Sequence, residues 1–211
     1  MPILIIILLL ITAIIFPKLI QYNRSQYQEE SGNGFIATIS DTKNYGEFLA
    51  FTYLEEYEIY RKLVTNRQFL KNGQRPISLE LVMINESGIY IFDVNNYKGI
   101  IKGDAAGESW TQKHKNKEQT FLNPFRVNEE RILLLKKIFP EIHQSRMKAF
   151  VLFNNDCTLE IDHGDVEGGV MLKMKELIKD INEDISNSQK VFSKIEIDKI
   201  YEVLKKETAK K

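Results

Sequence analysis

The first twenty residues constrain this chain more than any other stretch. Residues 2–16 read P-I-L-I-I-I-L-L-L-I-T-A-I-I-F without a charge, and Leu19 and Ile20 extend the run past Pro17 and Lys18. That is close to the roughly 20 apolar residues a bilayer core requires. A signal peptide would carry Lys or Arg ahead of the apolar part and small residues at a cleavage site. No charge precedes Ile3 and no Ala-x-Ala pattern comes after it, so a retained transmembrane helix over residues 2–20 is expected. Pro17 sits near one end, where a kink costs little. Lys18 and Arg24 come after the run. The positive-inside rule then places the remainder in the cytoplasm, with a very short N-terminus outside. The expectation is a single-pass protein of the cell membrane.

The rest of the chain has room for one domain. The chain has 211 residues, too few for two ordinary domains and an anchor. Residues 21–40 are polar, with Gly32, Asn33 and Gly34, and read as a linker holding a short strand at 35–39. The domain is expected over 41–211, with a core at 45–153 and C-terminal helices within 170–206. Lys plus Arg and Asp plus Glu are both 29, so the formal charge is zero, which argues against a generic nucleic-acid coat. The single cysteine, Cys157, excludes an intrachain disulfide, and His114, His143 and His163 show no zinc-ligand spacing.

Periodicity gives the element order. Residues 41–60 carry Tyr45, Phe48, Leu49, Thr52, Tyr53 and Tyr57 at helical spacing. Residues 60–70 alternate as a strand, and Asn72-Gly73 signals a turn. Strands are expected at 78–84, 89–94, 100–102 and 109–112, then a lysine-rich loop with Lys113, Lys115 and Lys117. Asn123-Pro124 opens a helix, since Asn caps well and Pro suits the first helical position. That helix stops before Pro140. A strand at 147–153 and amphipathic helices at 170–185 and 193–206 complete an α/β fold, a mixed sheet flanked by helices. Residues 157–165, with Glu160, Asp162, His163 and Asp165, read as a strand end and a turn.

Two strands stand out. Residues 79–84 (L-E-L-V-M-I) and 89–94 (I-Y-I-F-D-V) are continuous apolar runs, the pattern of strands covered on both faces. Each holds one carboxylate, Glu80 or Asp93. A buried carboxylate must be paired, protonated or bound to a cation. The tight Asn-Glu-Ser-Gly connection makes the strands antiparallel neighbours, so the two acids can approach each other. A divalent cation would join them, and hard oxygen ligands suit magnesium or manganese. Equally, a lone acid in an apolar strand often marks an edge or pairs with a lysine.

These residues fall in a recognisable order: Gly46-Glu47 in a helix; Glu80 in a strand; S-G-I-Y-I-F-D-V-N-N-Y-K-G over 87–99; Gly103-Asp104; Trp110; and Asn123-Pro124 opening a helix. The stretch from 45 to about 135 resembles the NERD (nuclease-related) domain. That family is similar to restriction-endonuclease-like enzymes of the PD-(D/E)xK type. The resemblance implies their mixed central sheet and metal-dependent cleavage of DNA phosphodiesters. It implies site residues Glu47, Glu80, Asp93 and position 95, with Glu47, Glu80 and Asp93 holding Mg2+ or Mn2+. The family's usual strand aspartate is here Glu80, and its usual glutamate is Asp93. Its lysine two residues later is Asn95, and the glutamine of its Asn-Pro-x-x-Gln helix is Val127. Residues two apart on a strand share a face, so Asn95 points where the lysine would stabilise charge on water or phosphate, but carries none itself. Lys98 and Lys102 are the nearest cations in sequence and read as solvated.

Three functions stay open: a membrane-anchored NERD protein with a degenerate site that still binds metal or nucleic acid; a working nuclease with a relocated cation; and a non-catalytic interaction module on the membrane face. The sequence names no protein partner.

Overall fold

The computed structural model describes residues 2–69, 75–162 and 170–206. The N-terminal run forms one continuous helix, α1 (Pro2–Arg24). Its 23 residues span about 34 Å at 1.5 Å per residue. Among the described residues it is the one helix long and apolar enough to cross a membrane.

The segment expected as a linker is instead folded onto the domain. It forms α2 (Tyr27–Ser31) and α3 (Phe35–Ser40), where a short strand was expected. Local β propensity at 35–39 is overridden by packing. Phe35 meets the Tyr22 ring edge-on at 5.4 Å, and buried Thr38 donates its hydroxyl to the Gly34 carbonyl at 3.0 Å. Tyr22 and Tyr27 are both core residues and pack on Phe48.

Asp41 caps α4 (Thr42–Glu55), accepting from the Asn44 N–H at 2.8 Å. The helix stops before residue 60 because the chain turns at 56–60 to enter β1 (Arg61–Phe69). Next come β2 (Ile77–Asn85), β3 (Gly88–Asn95), β4 (Gly99–Asp104), β5 (Ser109–His114), β6 (Lys117–Leu122), α5 (Pro124–Ile138), β7 (Met147–Phe153), β8 (Cys157–Asp162), β9 (Val170–Lys173), α6 (Leu177–Ser186) and α7 (Lys194–Lys206). Asn72 and Gly73 lie outside the described residues, as do His163 and Asp165.

The strands make two mixed sheets rather than one. The first has order β1-β2-β3-β7-β9, antiparallel through β3 and parallel beyond it. Its central strands are covered on both faces, as their continuous apolar pattern requires. Leu81, Met83, Tyr90 and Phe92 pack under α4 and α6, whereas Val82, Ile84, Ile89 and Ile91 pack under α5 and α7. The second sheet, β6-β5-β4-β8, joins the first through a cluster around fully buried Trp110.

Three segments differ from expectation here. Residues 170–173 pair with β7 as β9 instead of starting a helix, on a parallel edge that buries Leu172 opposite Leu152. Residues 157–162 form a whole strand along β4. The lysine-rich stretch is a tight β5–β6 hairpin with Lys115 in the left-handed region (φ 55°) at its tip.

If residues 21–40 are part of the core, Tyr22→Ala should cost about 3 kcal/mol in denaturant unfolding. A loose tether would register within about 0.5 kcal/mol.

Candidate functional site

The acids meet where β2 and β3 part. Their ladder runs from Asn85↔Gly88 to Leu81↔Phe92, so the next residues, Glu80 and Asp93, stand opposite each other. The backbone N–H of Val94 donates to Glu80 Oε2 at 3.3 Å. Strand alternation puts both acids on the α5 face. Asp93 is only 7% exposed.

A cation already sits between them. Arg131 of α5 is 2% exposed. It donates to Asp93 Oδ1 at 2.5 Å and stands 3.5 Å from Glu80 Oε1. The guanidinium is also fixed from behind, donating to the Ser78 carbonyl at 2.8 Å and to Asn128 Oδ1 at 3.0 Å. Such planar, multiply bonded geometry is what Arg provides and Lys does not. Asn123-Pro124 is responsible for the placement. Asn123 accepts from the Phe125 N–H at 2.9 Å and donates to the carbonyls of Ala105 and Gly107, which sets where α5 begins. The buried stripe Pro124, Asn128, Arg131, Leu135 then faces the sheet. Sequence reasoning missed Arg131. Its signal was an Arg in register with the stripe, at the 4-3-4 spacing of an inward face.

A second cation comes from α4. Lys43 Nζ lies 2.5 Å from Glu80 Oε1, and the charges of Glu80, Glu47 and Asp93 all favour its protonated form against desolvation. Sequence reasoning missed it too, having searched downstream of Asn95. Lys98 and Lys102 point elsewhere, to Asp156 at 3.6 Å and Glu160 at 2.7 Å.

Asn95 turns inward and donates to Asp93 Oδ2 at 2.5 Å. Glu47 hangs from α4 on the other face of the sheet. Its carboxyl meets the Thr65 hydroxyl and, at 3.4 Å, the Tyr27 hydroxyl. Burial, with the nearby charge of Glu80, pushes its pKa up to about 7. The geometry agrees: Thr65 Oγ1 touches both Glu47 Oε1 and the Glu80 carbonyl oxygen but has one proton to give, so a neutral Glu47 satisfies the trio better. Gly46 has its own reason. A Cβ there would stand 2.5 Å from Asn96 Cβ, so only glycine lets α4 approach the β3–β4 loop.

The structure thus brings Glu80, Asp93 and Asn95 together and links Glu47 to the Glu80 backbone through the Thr65 hydroxyl. Glu80, Asp93 and Asn95 share a cleft of about 300 Å³, lined also by Asp41, Thr42, Lys43, Asn96 and Tyr97, whereas Glu47 lies outside it. The space between Glu80 and Asp93 is occupied by cations of the chain itself. Both Asp93 oxygens are engaged, Glu80 Oε1 faces two cations, and Arg131 is held in place by groups that are not part of the acid pair. Among the described residues no group of three His, Cys, Asp or Glu side chains is arranged to hold a metal.

A sequence model of the nuclease-related domain, NERD, matches residues 42–154. An uncharacterized protein of Bacillus anthracis is 27% identical over 82 residues, covering 39% of this chain and 38% of that protein. The chain therefore matches well under two thirds of that relative's length. No solved structure matches the chain.

Two outcomes are expected from these contacts. Glu47 is neutral in the fold at pH values where the unfolded chain ionises it, so its contribution is present below about pH 4.5 and lost as pH rises through about 7. Unfolding measured across that window should show wild type losing up to about 3 kcal/mol that Glu47→Gln does not lose. Arg131→Met should cost about 3–5 kcal/mol near neutral pH, because it leaves the buried Asp93 carboxylate without its cation.

Proposed function

The chain belongs to the nuclease-related domain family, and we propose that in this member the nuclease site is closed by its own cations and engages phosphodiesters without cutting them. The observation that carries this reading is Arg131, buried between Glu80 and Asp93 where the family's metal chemistry would act. Lys43 and Arg131 together balance the charge of Glu80 and Asp93, and Glu47 is held partly neutral. A divalent ion would be surplus charge in such a site. The strand lysine that would stabilise an attacking water is Asn95, and its amide is spent on Asp93.

What remains suits binding. Lys43 is the cation on the open side of the cleft, with its side chain 59% exposed, and Asn96 and Tyr97 stand beside it. A phosphate oxygen of a nucleic acid is the ligand this lining favours, by charge and hydrogen bonds and not by base identity. The length and apolarity of α1 support a single membrane span, and Lys18 and Arg24 after it support a cytoplasmic domain.

One observation favours a second reading. Lys43 delivers a positive charge to Glu80 from a different element than the expected strand position, so it is the candidate relocated cation of an active nuclease.

The test is cleavage of single- and double-stranded DNA by the full chain in nanodiscs, with magnesium or manganese. No cleavage above an Asp93→Ala control, together with salt-sensitive DNA retention weakened by Lys43→Ala, is the expected result. Metal-dependent cleavage lost in both Asp93→Ala and Lys43→Ala would overturn it in favour of the active enzyme.

A further inference from the structure

Where the apolar run of α1 ends, the helix and α4 enclose a groove of about 550 Å³. Pro17, Ile20, Gln21 and Arg24 form one wall, at the spacing of a single helix stripe, and Ser25 follows them. The other wall is the last turn and cap of α4, with Thr52, Glu55 and Glu56. A groove of this size is in the range of small-ligand sites.

Position along α1 follows from residue number, because the helix is continuous from Pro2 to Arg24. Ile20 closes the apolar run, and Arg24 lies about 6 Å further along the axis at helical rise. The headgroup layer on each side of a bilayer is about 5–8 Å thick. The α1 wall therefore starts at the hydrocarbon boundary and ends at the outer edge of the headgroups, a depth set by α1 alone. It changes character along the same axis: Pro17 and Ile20 are apolar, Gln21 is polar and Arg24 is charged.

One pair in the groove is already spent on joining the walls. Gln21 Nε2 donates to Thr52 Oγ1 at 3.2 Å, and buried Thr52 donates to the Leu49 carbonyl at 3.0 Å. Other groups are free to bind. Ser25 Oγ accepts from the Tyr27 N–H at 3.1 Å, which leaves its hydroxyl proton to give. Glu55 Oε1 accepts from the Gln26 N–H at 2.7 Å, which fixes the carboxylate and leaves Oε2 open. Among the described residues Arg24, Glu55 and Glu56 form no ion pair, although all three line the groove.

We propose that this groove seats the headgroup of a zwitterionic phospholipid with a primary ammonium, a phosphatidylethanolamine, from the leaflet around the end of α1. The proposal rests on α1 being a membrane span. A site that holds both signs of charge without pairing them suits a ligand that carries both. Arg24 and Ser25 donate to the phosphate, and Glu55 and Glu56 accept from the ammonium. Two carboxylates against one guanidinium disfavour an anionic headgroup. No aromatic ring lines the groove, and a quaternary ammonium is recognised through such rings. A primary ammonium instead offers three N–H donors, which carboxylates match. Pro17 and Ile20 form the apolar end, where the acyl chains leave along α1. Lipid is the occupant because the groove begins on the helix that crosses the bilayer.

The experiment places the full chain in nanodiscs of equimolar phosphatidylethanolamine, phosphatidylcholine and phosphatidylglycerol, and reads the lipids retained on the released protein by native mass spectrometry. Wild type should retain phosphatidylethanolamine about tenfold over either other lipid, as expected of charge-assisted hydrogen bonds. The double variant Glu55→Gln/Glu56→Gln should lose that preference, and Arg24→Gln should lower retention of all three lipids. The glutamine at 55 keeps an acceptor for the Gln26 N–H, so the fold is preserved. A chain that enters nanodiscs but retains lipids in proportion to their abundance overturns the proposal and leaves the span intact. So does a preference that survives in both variants, or one for phosphatidylglycerol. Displacement of the lipid by an equal concentration of soluble phosphoethanolamine makes the site one for the free headgroup and overturns the lipid assignment. A chain that does not enter nanodiscs overturns the span, and the proposal falls with it.

Discussion

The buried guanidinium of Arg131 is the interaction on which the middle of this protein depends. Two strands covered on both faces place half-buried Glu80 beside buried Asp93, whose carboxylate is not tolerable there alone. The charge must be met from within or from solution. Here it is met from within, by an arginine that α5 delivers through the sheet-facing stripe begun at Pro124. Removing the arginine and keeping the acids would leave a fold that has to protonate them or recruit an ion.

Several features that look like separate motifs serve this one pairing. Asn123 and Pro124 start α5 at the residue that brings Arg131 into register. Gly46 lets α4 close on the β3–β4 loop, and that closeness puts Lys43 within reach of Glu80. Asn95 takes the remaining oxygen of Asp93. Glu47 is set apart with Thr65 and Tyr27 and stays partly protonated, which spares the cluster a third full negative charge. A nuclease-related scaffold keeps its acids in this arrangement, yet each is answered by a neighbour on the same chain.

The segment after α1 couples this centre to the apolar helix. Its aromatic side chains are core residues, so the domain and the helix form one body and not two joined by a flexible strip. Position relative to the apolar helix thereby becomes a property of the fold, shared by the residues of α4 that line the groove beside it.

What the sequence determined by itself is whatever local pattern encodes. The apolar length of α1, the both-faces-buried character of β2 and β3, the hairpin that makes them neighbours, the Asn-Pro cap and the three acids were all legible. Each depends on residues within about one element of each other, where periodicity and turn chemistry act. The family resemblance rests on the same local runs. Only the tertiary structure decided which cations answer the acids. Lys43 and Arg131 lie 37 residues before Glu80 and 38 after Asp93, and nothing in a local pattern states which distant side chain will fill a charge. Tertiary packing likewise turned the supposed linker into helices, made residues 170–173 a strand and split the strands into two sheets. In each case the local preference was weak, and burial against a partner far along the chain outweighed it.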